Sequence, residues 1–226
     1  MLASQSRTMI LLLGSAAIAW AVTVERMSGM DAGPGTDLGG LDWYLGVWVT
    51  MTVAMMLPSA LHAARGLTFV GGYLAAWTAF GLAAYGLFRL VTSFDTDWLA
   101  WDRGGPYVAG GAIVAAGIYE LTPLKQHCLH RCRKPAARGG LAHGVDCVGC
   151  CLGLMAALFA LGVMSLFWMA VVAGVIFAEK VLPHGLRLSR GVALALVVLG
   201  LWVAGSPSSV PGLREPDRSP SMQMEV

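Results

Sequence analysis

Long apolar runs, each of about 16 to 30 residues, recur along this chain with short polar stretches between them. A run of that length crosses a hydrocarbon core of roughly 30 Å when it is helical, at about 1.5 Å rise per residue. In lipid only a helix or a closed barrel satisfies its own backbone groups, so the pattern predicts helices. The composition agrees: 57% of residues are hydrophobic and 12% charged, against about a quarter charged in soluble domains. The expected fold is an all-α, polytopic transmembrane helical bundle of about six spans, or seven if Val148 to Ala178 is a hairpin. Residues 1–205 form one domain, and 206–226, with Pro207, Pro211, Pro216 and Pro220, form a disordered tail.

Taken in order, Met9 to Val24 reads as an uncleaved first helix, because no small-residue cleavage site with a soluble domain follows it. Trp43 to Ala63 is the second span, and its opening aromatics suit a headgroup boundary. Leu67 to Leu90 is a Gly/Ala-rich third span with no evident chemistry, whose Gly71, Gly72, Gly81 and Gly86 would allow close helix approach, including to a second copy. The fourth runs from Pro106 to Thr122, where Pro123 stops it and leaves Glu120 in the last turn. Val148 to Ala178 is long for one span and short for two. We read it as one rod of about 45 Å, with a hairpin turning near Gly162 to Ser165 as the alternative. Arg190 to Ala204 is the last span.

Between the fourth and fifth spans, residues 123–147 form a polar, Cys/His-containing loop with Lys125, Arg131, Arg133, Lys134 and Arg138. The positive-inside rule makes it cytoplasmic. His62 and Arg65 then lie inside as well, the two Asp-containing loops outside, and the N-terminus with Arg7 inside. The expected location is a cell inner membrane, crossed several times, with the lipid bilayer as a partner. A net charge of +2 and basic residues clustered at helix ends give no support for nucleic acid.

All five cysteines fall within this region: Cys128, Cys132, Cys147, Cys150 and Cys151. The spacing C-x3-C, then C-x2-C-C, has the grammar of a thiolate metal site without matching a standard zinc ribbon. Reducing conditions and an odd count speak against a disulfide framework. On one continuous helix, Cys147, Cys151, Met155 and Met169 would share a face, with Gly149 and Gly153 opposite, while Met164 falls off the stripe. In the second span Met51, Met55, Ser59 and His62 make a similar stripe with Met56 beside it, and Pro58 frees the carbonyl of Ala54. Thiolates and thioethers select Cu(I), so a copper ion is the expected ligand, with zinc the alternative. Methionine is also an ordinary packing residue, and cysteine an ordinary small apolar one. Glu120 is a ligand, a proton acceptor or the ion-pair partner of Lys125; adjacent Glu179 and Lys180 read as interfacial anchors.

These residues resemble a bacterial family of metal-binding integral membrane proteins of unknown function, some of whose members are labelled copper chaperones. The likeness rests on Met51 to Pro58, Tyr119 to Lys125, Cys128 to Pro135, Gly149 to Met155, Gly162 with Met164, Trp168 with Met169, and Glu179 with Lys180. It implies that Met164 and Glu179 matter to the metal site although helical geometry alone does not select them.

The sequence therefore points to a membrane protein that binds a soft transition metal and takes part in its transport or its delivery to a partner protein. A membrane thiol-disulfide redox protein and a non-catalytic assembly subunit are the competing classes. No nucleophile triad, phosphate-binding loop or paired catalytic carboxylates are present, so hydrolase and kinase chemistry have no support, and a non-enzymatic role is favoured.

Overall fold

The computed structural model describes residues 2–27, 38–61, 63–64, 66–93, 104–134, 139–162, 165–183 and 185–211. Among them the chain forms α1 (Leu2–Met27), α2 (Leu41–Ala60), α3 (Leu67–Ser93), α4 (Gly105–Glu120), α5 (Pro123–Cys132), α6 (Gly140–Leu161), α7 (Leu166–Val181) and α8 (Gly185–Gly205), and no strand. Five helices, α1, α2, α3, α6 and α8, are long and apolar enough to cross a membrane. α4 and α5 together make a sixth candidate, bent by 65°. The bend is local chemistry: Thr122 Oγ1 accepts from the Lys125 backbone N–H at 3.3 Å, and Pro123 occupies the first turn of α5, where its missing N–H costs nothing.

Helices α2 and α6 are mostly buried, whereas α1, α3 and α8 leave most of their surface exposed. The two helices that carry Met51, Met55, Met56 and Met155 and most of the cysteines are therefore the central ones. They run antiparallel: Trp48 stacks on Phe159 at 5.8 Å at one end, and Ser59 and Cys147 meet the same lysine at the other. α3 runs antiparallel to α2, with Tyr44 Oη donating to the Gly81 carbonyl (3.1 Å) and Trp48 Nε1 to the Trp77 carbonyl (2.9 Å). α4 and α8 approach closely because both present glycine; a Cβ on Gly200 would stand 2.6 Å from the Gly110 carbonyl oxygen.

Pro58 stays inside α2, and the carbonyl it frees finds a partner: Trp20 Nε1 donates to the Ala54 oxygen at 3.1 Å. This bond ties α1 to the central helix. Trp20→Phe is expected to cost about 1 kcal/mol, the worth of one hydrogen bond to a buried carbonyl. The cost should shrink in a Pro58→Ala background, where the helix satisfies Ala54 itself; thermal unfolding of the four proteins in detergent measures it.

The single rod expected over Val148 to Ala178 is not formed. α6 begins earlier, at Gly140, and ends at Leu161, and Gly162 adopts φ +105°, a left-handed conformation open to glycine without cost. α7 then returns, since Lys180 near its end reaches Cys147 near the start of α6. The break sits where the hairpin alternative places it, and no proline is needed. At 16 residues α7 is about 24 Å long, short of a full hydrocarbon core. Met169 consequently lies on α7 and not on the line of Cys147, Cys151 and Met155.

Within the polar stretch 123–147, residues 123–132 form α5 and 140–147 the first two turns of α6, in place of the expected loop, while 135–138 lie outside the described residues. Arg131 joins the two through Asp146 at 3.2 Å. At the C-terminal end Pro207–Ser209 make a 3-10 turn in which Ser209 Oγ accepts from Trp202 Nε1 at 2.7 Å. The Asp-containing loops around 28–37 and 94–103, and the rest of the tail from 212 on, lie outside the described residues.

Candidate metal centre

One end of the bundle collects the C-terminal turns of α2, α4 and α7, the N-terminal turns of α6 and α8, and the whole of α5. Its sulfur atoms come from two of these. Cys132 closes α5, while Cys147 and Cys150 stand one turn apart on α6. Their three sulfurs lie within 4.8 Å of one another, and all three residues are buried. Cys150 Sγ is 3.6 Å from Cys132 Sγ and 3.6 Å from Cys151 Sγ, and it donates to the Cys147 carbonyl at 3.2 Å.

These separations suit a shared ion. With metal–sulfur bonds of about 2.3 Å, as for zinc, ligands in a trigonal plane are about 4.0 Å apart and opposed ligands about 4.6 Å. Only small movements would seat an ion among the three. None of the five cysteines is in a disulfide, so no ligand is withheld that way. Cys128 stands apart from the triad. It is one turn before Cys132 on α5, but its sulfur packs on Gly149, where an added Cβ would come within 2.8 Å.

Cys147 is the sulfur that both α3 and α7 reach. Tyr73 Oη of α3 lies 2.9 Å away, and Lys180 Nζ of α7 donates to it at 2.9 Å and to Ser59 Oγ at 3.3 Å. Sequence reasoning missed Tyr73, because a tyrosine in a Gly/Ala-rich span carries no distinctive signal. It read Lys180 as an interfacial anchor, but the residue is 6% exposed. A charged pair within an apolar run was the available clue.

A second polar cluster lies beside the first. Lys125 Nζ pairs with Glu120 Oε2 and, at 2.8 Å, with Glu179 Oε2, and all three side chains are buried. Ser189 of α8 donates to Glu120 Oε2 at 3.0 Å, and Arg133 donates to the Glu179 carbonyl at 2.7 Å. Of the three readings of Glu120, the structure displays the ion pair with Lys125. Glu120 and Glu179 are gathered on this lysine and are not members of the sulfur group. Lys125, expected on a solvated loop, is 0% exposed.

Met51, Met55, Met56, Met155 and Met169 are all buried in the one core that also holds the cysteines. Among the histidines, His143 packs against the rings of Phe69 (5.4 Å) and Tyr73 (6.0 Å), while His127 and His130 are exposed. His62 and Met164, both expected site residues, lie outside the described residues.

A family model described as PpoB2, copper chaperone, matches residues 45–203, which takes in every cysteine and the whole of both polar clusters. No curated protein and no solved structure matches the chain.

Proposed function

This chain belongs to the PpoB2 family of copper chaperones, and from that premise we propose that it is an integral membrane protein that takes a copper ion onto Cys132, Cys147 and Cys150 and passes it on. The observation that carries this reading is the convergence of three buried sulfurs from α5 and α6 within 4.8 Å. Soft sulfur ligands favour Cu(I) over hard cations. Lys134, Arg187 and Arg190 lie at the same end of the bundle, which by the positive-inside rule faces the cytoplasm of an inner-membrane protein whose N-terminus is also inside.

Delivery requires a partner able to compete for the ion, most simply a protein that offers thiols of its own. The buried methionines of α2, α6 and α7 supply a soft-ligand route leading away from the thiols towards the other end of the bundle. Gly71 and Gly86 of α3 face open space, so association of two copies through that helix remains sterically free.

The test is the metal content of the full-length protein purified in detergent and exposed to Cu(I) or Zn(II). About one copper per chain, retained against a moderate chelator and in preference to zinc, is the expected result. Retention of zinc alone would change the cargo, and retention of neither would remove the metal-handling role. The 3.6 Å approach of Cys132 and Cys150 sulfurs favours a second reading, thiol-disulfide exchange. That reading predicts a Cys132–Cys150 disulfide that cycles during turnover with no metal present.

A further inference from the structure

Lys180 presents a charge problem that the metal-handling role does not by itself explain. Its ammonium is buried on an apolar helix, and a lone charge in such surroundings is costly. Glu179, the preceding residue, turns its carboxylate to Lys125. Lys180 turns instead to the thiol cluster, with Nζ 2.9 Å from Cys147 Sγ and 3.3 Å from the neutral Ser59 Oγ. The other buried ammonium of this region, Lys125, is already held by Glu120 and Glu179, and Arg133 sits on the Glu179 carbonyl.

We propose that Lys180 is the counter-cation of the metal complex, and that its single positive charge fixes how many of the three thiols bind the ion. This rests on the metal-binding reading given above. Each bound thiolate contributes one negative charge. A monovalent soft ion held by two thiolates carries −1, which one ammonium cancels. Held by three it carries −2, and one negative charge stays uncompensated in a dry core. A divalent ion reaches the same balance only with three thiolates.

For Cu(I) the structure therefore assigns two-coordinate binding by Cys147, the sulfur that Lys180 touches, and one of Cys132 or Cys150. The remaining sulfur stays a neutral thiol beside the ion. On loading, two metal–sulfur bonds form as the ion leaves two ligands of its donor, each sulfur binds as thiolate with any proton it carries passing to buffer, and no electron moves. The spare thiol gives the ion a neighbouring position to step onto, which suits a site that must release its cargo.

The experiment uses full-length protein in detergent, Cu(I) under anaerobic conditions and a chromophoric Cu(I) chelator as competitor. X-ray absorption of the loaded protein supplies the ligand number. Wild type should show two sulfur neighbours per copper. Lys180→Met should weaken Cu(I) binding by about 1,000-fold, the scale of one charge interaction at about 4 Å and an effective dielectric of about 20. Lys180→Arg, which keeps the charge, should recover most of it with the two-sulfur signature intact.

Lys180→Met binding within about threefold of wild type, or three sulfur neighbours in the wild-type protein, would overturn the counter-cation role while leaving metal binding in place. Wild-type protein that binds no Cu(I) would remove both. Should Lys180→Met not fold, the ligand numbers of wild type and Lys180→Arg still decide the question.

Discussion

Changing Cys147 to serine is expected to cause the largest loss of Cu(I) binding of any single cysteine substitution, more than about 100-fold, beyond the range usual for residues that merely support a ligand. The reason is position. Cys147 is the sulfur on which α3 and α7 converge, through Tyr73 and Lys180, while it also belongs to the α5–α6 sulfur triad. Cys132→Ser and Cys150→Ser should each cost less, because either leaves Cys147 with a second sulfur near at hand, and the double change should abolish binding. Cys128→Ser should alter affinity by no more than about threefold, since its sulfur packs on Gly149 outside the triad. Serine is nearly isosteric with cysteine but a far poorer ligand for a soft ion. Chelator competition on proteins whose thermal unfolding matches wild type gives the ranking. Equal losses at Cys128 and Cys147 would mean that α5 rotates on loading and that the triad is not the binding group.

What the sequence made legible here was local. The apolar runs predict the helices, Pro123 predicts the end of α4, and Pro58 predicts a freed carbonyl at Ala54 that Trp20 in fact takes up. The grouping of Cys147, Cys151 and Met155 on one face follows from helical spacing alone. Three things were not legible, and each depends on tertiary structure. A helix break at Gly162 needs only a positive φ that glycine permits, so an apolar stretch without proline leaves rod and hairpin both open and the order of residues does not choose between them. Cys128 and Cys132 share a face of α5, and only the pitch of α5 against α6 decides that Cys132 joins the triad while Cys128 rests on a glycine. Glu179 and Lys180 are consecutive, about 100° apart on a helix, and that angle sends one to the carboxylate cluster and the other to the thiols. Nothing in the order of letters tells which neighbour each will meet.

Lys125→Met should be the most destabilising change in the molecule, by about 3–5 kcal/mol, because it removes the one ammonium shared by two buried carboxylates and leaves both charges unpaired. Lys125, Glu120 and Glu179 come from α5, α4 and α7, so the same loss also unties three helices at the end of the bundle that holds the sulfurs. Ser189 of α8 remains on Glu120, but a hydroxyl does not neutralise a carboxylate. The triple variant Lys125→Met, Glu120→Gln, Glu179→Gln removes the charges together with their partner and should recover most of the lost stability, since a buried ion pair is worth little against a neutral replacement of similar shape. Thermal unfolding in detergent distinguishes the two. If the single and triple variants unfold together, the cluster contributes packing and not charge balance. A second readout follows from the chain itself: Glu179 precedes Lys180, so releasing Glu179 from Lys125 frees the turn of α7 that aims Lys180 at Cys147. Cu(I) affinity should therefore fall in Lys125→Met even at temperatures where the protein stays folded. It should fall less in the triple variant, whose neutral side chains have no charge to carry out of the core.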